Sequence, residues 1–398
     1  MRIDTPTISQ KNGRHVLSAG VSIAGTGIHF PNSMWFAING EDPLFEPELA
    51  DAFISALIPV AMKLGQNVQV EGRVSSRLAH GLDAYQSILN TWWPKIFKLV
   101  DIHYQKLDPR HHDRYPQGVA CTFSGGLDSF HAVAEQLPSQ LQNSAFNITH
   151  ALMINGFDQV VDLEHRGLAQ KMFETYAPVL AQWGVKLLMI DTNVKQFRDA
   201  AMPRQDVVHC YGSSLAASAH ALGGIFGRFG IAGGGSYAYN DMIPTGSHPV
   251  MDHHLSSDQL QIIFAGASQS RAGKLEMLAD MPSVQKYLRV CFHLPEFDPQ
   301  TGHIINCGEC EKCVRTLVGL IIVGKLEKFT AFSRLQPLQQ YQRPEILAAI
   351  KDLFLKDLAA LAQRHDRHDW VSILESARQK RREARKMAAD SNKTSVSR

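Results

Sequence analysis

No stretch of this chain approaches the roughly 18 uninterrupted apolar residues that a membrane-spanning helix needs; the best candidate, Leu317 to Val323, is far too short. Met1 to Gly20 lacks an apolar core between a basic start and a small-residue cleavage site, so no secretory signal peptide is expected. No internal repeat is apparent. Net charge is small, 40 Lys and Arg against 38 Asp and Glu, which leaves no whole-protein field to gather nucleic acid. Only Cys121 and Cys210 stand apart from a single cysteine cluster, too few for a disulfide framework. With 44% hydrophobic and 20% charged residues, the composition excludes a largely disordered chain and a collagen. The expectation is a soluble, cytoplasmic protein of two or three domains, at roughly 150 residues per domain.

What charge there is lies at one end. Residues 371–398 hold eight Lys or Arg and three Asp or Glu, whereas the other 370 residues hold 32 basic and 35 acidic side chains. The tail run, Arg378, Lys380, Arg381, Arg382, Arg385 and Lys386, reads as a solvated helix end, with RNA or acidic lipid as the less favoured use.

Residues 1–112 read as a separate α/β unit. Strands are expected at 16–24, 34–38 and 67–71, with helices at 49–64, where Pro59 is expected to kink or shorten the run, and 76–99. Trp92 and Trp93 read as core or interface packing. A polar linker, 107–117, contains His111 and His112. Strand, loop and helix then alternate. Strands at 119–123, 148–154, 185–190 and 230–232 are interleaved with helices at 127–137, 161–181 and 213–226. That alternation implies a doubly wound parallel sheet, whose ligands bind beyond the carboxyl ends of the strands. A helical end follows. Pro344 opens a helix striped by Leu347, Ile350, Phe354, Leu358 and Leu361, a last helix starts near Trp370, and disorder is expected from Ala388.

Two motifs point to chemistry. The first is Ser124-Gly125-Gly126-Leu127-Asp128-Ser129, set directly between a strand and a helix. Paired glycines let the backbone approach a phosphate, and the helix start offers unpaired N–H groups and a positive dipole end. Ser124 and Ser129 add hydroxyls, and a carboxylate at Asp128 suits Mg²⁺. The loop fits neither the Gly-x4-Gly-Lys-Ser/Thr nor the Gly-x-Gly-x-x-Gly pattern. The second motif is Cys291-x15-Cys307-x2-Cys310-x2-Cys313, four thiolates suited to one tetrahedral Zn²⁺. An iron–sulfur cluster is the competing occupant, and His293 or His303 can replace a cysteine.

The loop resembles the PP-loop of the ATP pyrophosphatases, the adenine-nucleotide α-hydrolase superfamily. That resemblance implies a HUP-like fold whose loop holds the pyrophosphate portion of ATP, with AMP transferred to a substrate oxygen. Loop and cluster together, with Cys307-Gly308-Glu309-Cys310-Glu311-Lys312-Cys313-Val314-Arg315, resemble the QueC-like 7-cyano-7-deazaguanine synthases over about residues 118–320. The resemblance implies an ATP-binding domain at 118–290, a zinc segment at 291–320, and ATP, Mg²⁺ and Zn²⁺ as cofactors. Asp128 and Lys274 would act in catalysis, and Gly156, in Gly156-Phe157-Asp158-Gln159, would lie near the nucleotide. The implied reaction is ligation: a carboxylate is adenylated, then attacked by ammonia or an amine. With no N-terminal catalytic cysteine and no glutaminase-like segment, free ammonia or an amine is the implied donor.

The N-terminal unit, the helices of 325–387 and the segment 233–254 fall outside the resemblance. The last of these lies where substrate is expected, and its His248, Asp252, His253 and His254 either serve the substrate or cap turns. A deazapurine or a partner protein is an open choice of acceptor. The alternatives are a tRNA-modifying thiolase of the same superfamily and a nucleotide-binding scaffold without turnover.

Overall fold

A computed structural model describes residues 1–39, 45–108, 118–157, 163–237 and 243–396, the side chains of 388–396 excepted. The chain divides into two compact units. The first comprises Met1–Ser124, Ala132–Gly233 and Asn240–Gly266; the second comprises Gly125–His131, Gly234–Tyr239 and Ala267–Arg398.

The first unit is built on an 11-stranded sheet. Its strands are β1 (Arg2–Ile3), β2 (Thr7–Lys11), β3 (Arg14–Ser22), β4 (Ser33–Asn39), β5 (Val68–Ser75), β6 (Ile102–Asp108), β7 (Gly118–Thr122), β8 (His150–Asn155), β9 (Lys186–Thr192), β10 (Phe226–Ala232) and β11 (Gln261–Ala265). The order β11-β10-β7-β8-β9 is parallel throughout. The chain steps from β7 outward to β9, then returns to the other side of β7. This places a topological switch between β7 and β10, where ligands of such sheets collect. Val119, Ala120 and Cys121 of β7 and Ala151 and Leu152 of β8 are buried, the continuous apolar run that a sheet covered on both faces requires.

The N-terminal strands do not form a separate domain of 1–112. β4 pairs antiparallel with β9, Phe36 opposite Thr192 and Ile38 opposite Ile190, so β3 and β4 extend the same sheet. The helices are α1 (Asp51–Leu64), α2 (Ser76–Trp92), α3 (Leu127–Ala134), of which Leu127–His131 belongs to the second unit, α4 (Arg166–Ala181), α5 (Val194–Ala201), α6 (Arg204–Val207) and α7 (Tyr211–His220). Every residue of α1 from Asp51 to Met62 is buried, as expected of a helix apolar all round. Pro59 does not stop it, and Gly65, at φ 65°, does. Phe36 and Phe53 meet edge to face in this core, and each such fully buried side chain contributes about 1.5–3 kcal/mol. The second helix ends at Trp92 rather than 99, just before Pro94. The expected 213–226 helix ends at His220, and Phe226 already belongs to β10. The 109–117 part of the expected linker and the expected helix start at Val161 lie outside the described residues.

The second unit holds α8 (Arg271–Leu278), α9 (Pro282–Tyr287), a hairpin of β12 (Glu296–Phe297) and β13 (Ile304–Ile305), α10 (Glu311–Ile322), α11 (Pro344–Leu347), α12 (Asp352–Arg364) and α13 (His368–Val396). Gly319 allows α10 to pack closely on α8: a Cβ there would come within 2.5 Å of Leu275. The stripe beginning at Pro344 is not one helix. It breaks after Leu347 and resumes at Asp352, while Leu347, Ile350, Leu358 and Leu361 all remain buried. The backbone of α13 is helical through Val396, beyond the expected onset of disorder at Ala388. Its basic run partly fastens the helices: Arg378 pairs with Asp352 at 3.0 Å, Lys380 with Glu345, and Arg381 donates to the Ala348 carbonyl at 2.7 Å.

Candidate functional site

The glycine loop leaves β7 through Ser124 and enters α3 at Leu127. Gly125 has φ +73°, a left-handed conformation that favours glycine. Its carbonyl accepts from the Arg289 N–H at 2.8 Å, and the Gly126 carbonyl accepts from Phe130 N and Ser129 Oγ, both at 2.9 Å. The turn is therefore held by its carbonyls.

Asp128, on the first turn of α3, meets α8. One carboxylate oxygen pairs with Arg271, and the other lies 3.3 Å from Lys274 Nζ. The two residues that the sequence singles out for catalysis, Asp128 and Lys274, are thus brought together across 146 positions. Lys274 is fully buried. Burial alone would raise the Asp128 carboxyl, yet Arg271 and Lys274 hold it below the usual carboxylate range. One turn on, burial and Lys274 push His131 down to about 4, so its imidazole is neutral at pH 7. A Cβ on Gly234, in the glycine run that follows β10, would lie 3.9 Å from Asp128 Oδ2. In the same run, the Ser236 hydroxyl is buried with no hydrogen-bond partner among the described residues.

The start of α8 is fixed from a distant helix. Asp357 of α12 accepts from Ser270 Oγ at 2.6 Å and from Ala272 N at 2.7 Å, while Ser270 Oγ accepts from Gly273 N. Those bonds satisfy the first turn of the helix that presents Arg271 and Lys274. On α10, Arg315 stacks over the Phe354 ring at 4.0 Å and pairs with Glu311 at 3.2 Å. Burial and Arg271 lower its guanidinium to about 10. Sequence reasoning gave no role to Arg271 or Asp357, and Arg315 entered only as the last residue of the cysteine motif. The legible signal was Arg271 itself, three residues before Lys274 and so on the same helical face.

Cys291, Cys307, Cys310 and Cys313 converge, with all four sulfurs within 4.8 Å of one another. Cys307 and Cys313 lie 3.7 Å apart and Cys310 and Cys291 4.0 Å apart. Four thiolates around one tetrahedral zinc at 2.3 Å would have edges of ~3.8 Å, so the cluster can hold one such ion. In a four-iron cluster each thiolate binds a different metal atom, which separates the sulfurs further. Asn306 locks the cluster's two limbs: its side chain accepts from Val290 N and Cys291 N and donates to the Leu288 and Ala331 carbonyls. Among the described residues these cysteines form the only cluster of metal-ligating side chains. Both Asp128 carboxylate oxygens meet cations, one Arg271 and the other Lys274.

The remaining candidates lie in the first unit. Gly156, at φ +91°, has the Thr192 carbonyl where a Cβ would stand, which gives the glycine a packing reason. Asp158 and Gln159 are outside the described residues. Asp252 is buried, accepting from Ser247 Oγ at 2.5 Å and His248 N at 3.0 Å, and so closes the turn that contains His248. His248 accepts from Val250 N and meets Trp92 edge-on, while His253 bonds the Pro249 carbonyl. His254 presents its carbonyl to Gly81 of α2. Trp93 stacks on His209 at 4.2 Å. Cys121 and Cys210 are buried, and burial raises both thiols, Cys210 to about 12.

Among the described residues, no helix is long and apolar enough to cross a membrane. No family model matches the chain, and neither curated proteins nor solved structures include a match to it.

Proposed function

We propose that this chain is an ATP-dependent adenylating enzyme of the QueC-like PP-loop type. It would transfer AMP to a carboxylate or carbonyl oxygen, release pyrophosphate, and let ammonia or an amine displace the AMP. The observation that carries this reading is the set around Asp128: a glycine loop at a helix start, with Arg271 and the buried Lys274 converging on the carboxylate and a second glycine run beside it. Two cations beside a helix start suit a polyphosphate. The chain lacks the Gly-x4-Gly-Lys-Ser/Thr motif, whose lysine serves γ-phosphate transfer.

In this reading the loop N–H groups, Arg271 and Lys274 hold the β and γ phosphates as leaving group. A substrate oxygen attacks the α phosphorus in line. The new oxygen–phosphorus bond forms as the bond to the β-bridging oxygen breaks, and the two cations stabilise the charge growing on pyrophosphate. The nitrogen nucleophile then adds to the activated carbon, and AMP departs with the oxygen. Asp128 holds both cations in place until the anion arrives. The cysteine cluster, with zinc bound, is structural. Its single-ion sulfur spacing favours this reading over a thiolase with an iron–sulfur cluster.

The test is ATP–pyrophosphate exchange across candidate carboxylates, deazapurine acids and protein carboxylates included. Exchange that depends on one acceptor supports the reading, and its absence with every acceptor, despite ATP binding, supports a non-catalytic scaffold.

A further inference from the structure

We propose that Arg315 is a further oxyanion ligand of this site and that the cysteine cluster sets its position, so that metal occupancy and oxyanion binding are linked. The proposal rests on the anion site of the preceding section and deepens it.

Arg315 is nine-tenths buried, and its Nε has no hydrogen-bond partner among the described residues. A guanidinium has five donors in a fixed fork, and this one spends Nη1 on Glu311. Arg315 and Arg271 line a cavity of about 20 Å³ whose other walls are mostly apolar, Leu127, Leu275, Phe354 and Leu358 among them, with Asp357 at its edge. That volume suits one water-sized group, and one phosphoryl oxygen is such a group. Asp357 is already committed to Ser270 and Ala272, and Arg271 to Asp128. Two arginines lining one small cavity, Arg315 with an unpaired Nε, favour an oxyanion there. The Phe354 ring beneath Arg315 holds the fork in one orientation.

Two short routes join this arrangement to the cysteines. Cys310 immediately precedes α10, Cys313 lies on its first turn, and Arg315 follows two residues later. On the other limb, Arg289 lies two residues before Cys291 and donates its N–H to the Gly125 carbonyl. An ion that draws the four sulfurs together therefore fixes both the start of α10 and the anchor of the glycine loop. By linkage, an oxyanion bound there must hold the metal more tightly by the same factor.

Titration of inorganic pyrophosphate into the full-length, zinc-loaded protein tests the ligand. Arg315→Met should weaken binding about tenfold or more while zinc content stays unchanged, and Arg315→Lys should recover part of the loss. Phe354→Leu, which removes only the supporting ring, should weaken binding by a smaller factor and serves if Arg315→Met does not fold. Zinc transfer to a strong chelator, with and without saturating pyrophosphate, tests the link. Pyrophosphate should tighten zinc binding about fivefold or more in the unaltered protein, read as zinc retained at equilibrium with the chelator, and have no such effect in Arg315→Met. Unchanged pyrophosphate affinity in these variants overturns the ligand assignment, and equal retention of zinc in both proteins overturns the link. If the unaltered protein binds no pyrophosphate, the anion site itself falls. Pyrophosphate binding without ATP–pyrophosphate exchange would overturn the adenylation reading and leave this proposal standing.

Discussion

Asp252 is fully buried and Asp128 only half-buried, and their surroundings treat the two carboxyls in opposite ways. Asp252 meets only a serine hydroxyl and a backbone N–H, and burial pushes its carboxyl up to about 7. Asp128 meets Arg271 and Lys274, which outweigh burial and keep it charged. A buried carboxylate served by neutral donors closes a turn, and its bonds are local, within five residues. One served by two cations from a distant helix holds charge that an incoming anion can take over. The contrast separates two segments, each of which looked functional as sequence.

The comparison can be broken at several points. The largest effect is expected at the metal. Cys310→Ser should lower stability by about 4 kcal/mol or more, with zinc falling below one per chain. Hydrogen exchange should then quicken across α8 to α12 well before it does in β7 to β10. Next comes Asp128→Asn, which leaves the buried Lys274 and the partly buried Arg271 without a counter-charge. It should cost about 3 kcal/mol, and pyrophosphate should restore part of the loss, as it should not for Asp252→Asn. Asp357→Ala removes a cap from α8 and should cost about 1–2 kcal/mol, measurable by urea unfolding.

The smallest effect is a pH dependence. Folded Asp252 keeps its proton up to about pH 7, whereas its ordinary value is 3.8. Its contribution to stability is therefore fully present below 3.8 and is lost as pH rises to about 7. Asp128 has the reverse sign: its contribution is present above 3.8 and is lost as pH falls through its depressed value. Asp252→Asn should flatten the decline in melting temperature across that window, leaving the similar share of Asp51, also raised to about 7 by burial. An unchanged slope would remove the distinction between the two aspartates.

Much of the fold was legible because its signals are local. Apolar runs such as 119–123 and 185–190 mark buried parallel strands, and the cysteine spacing marks a cluster before any coordinates exist. What escaped was decided by tertiary pairing. Nothing in Met34 to Ile38 announces that β4 will pair with Ile190 and Thr192 and merge the N-terminal strands into the main sheet. Asp252 and its neighbouring histidines have the residue types of a catalytic group, and only the bonds to Ser247 and His248 identify a turn closure. Arg271 and Asp357 escaped for a related reason: their meaning lies in partners 143 and 85 positions away.

The most direct measurement is the fate of ATP labelled at the α phosphate, with the true acceptor present. The account predicts that the label ends in AMP, through an adenylated acceptor trapped when the nitrogen donor is withheld, and that pyrophosphate is released in equal amount. Recovery of the label in ADP, with inorganic phosphate as the other product, would contradict it.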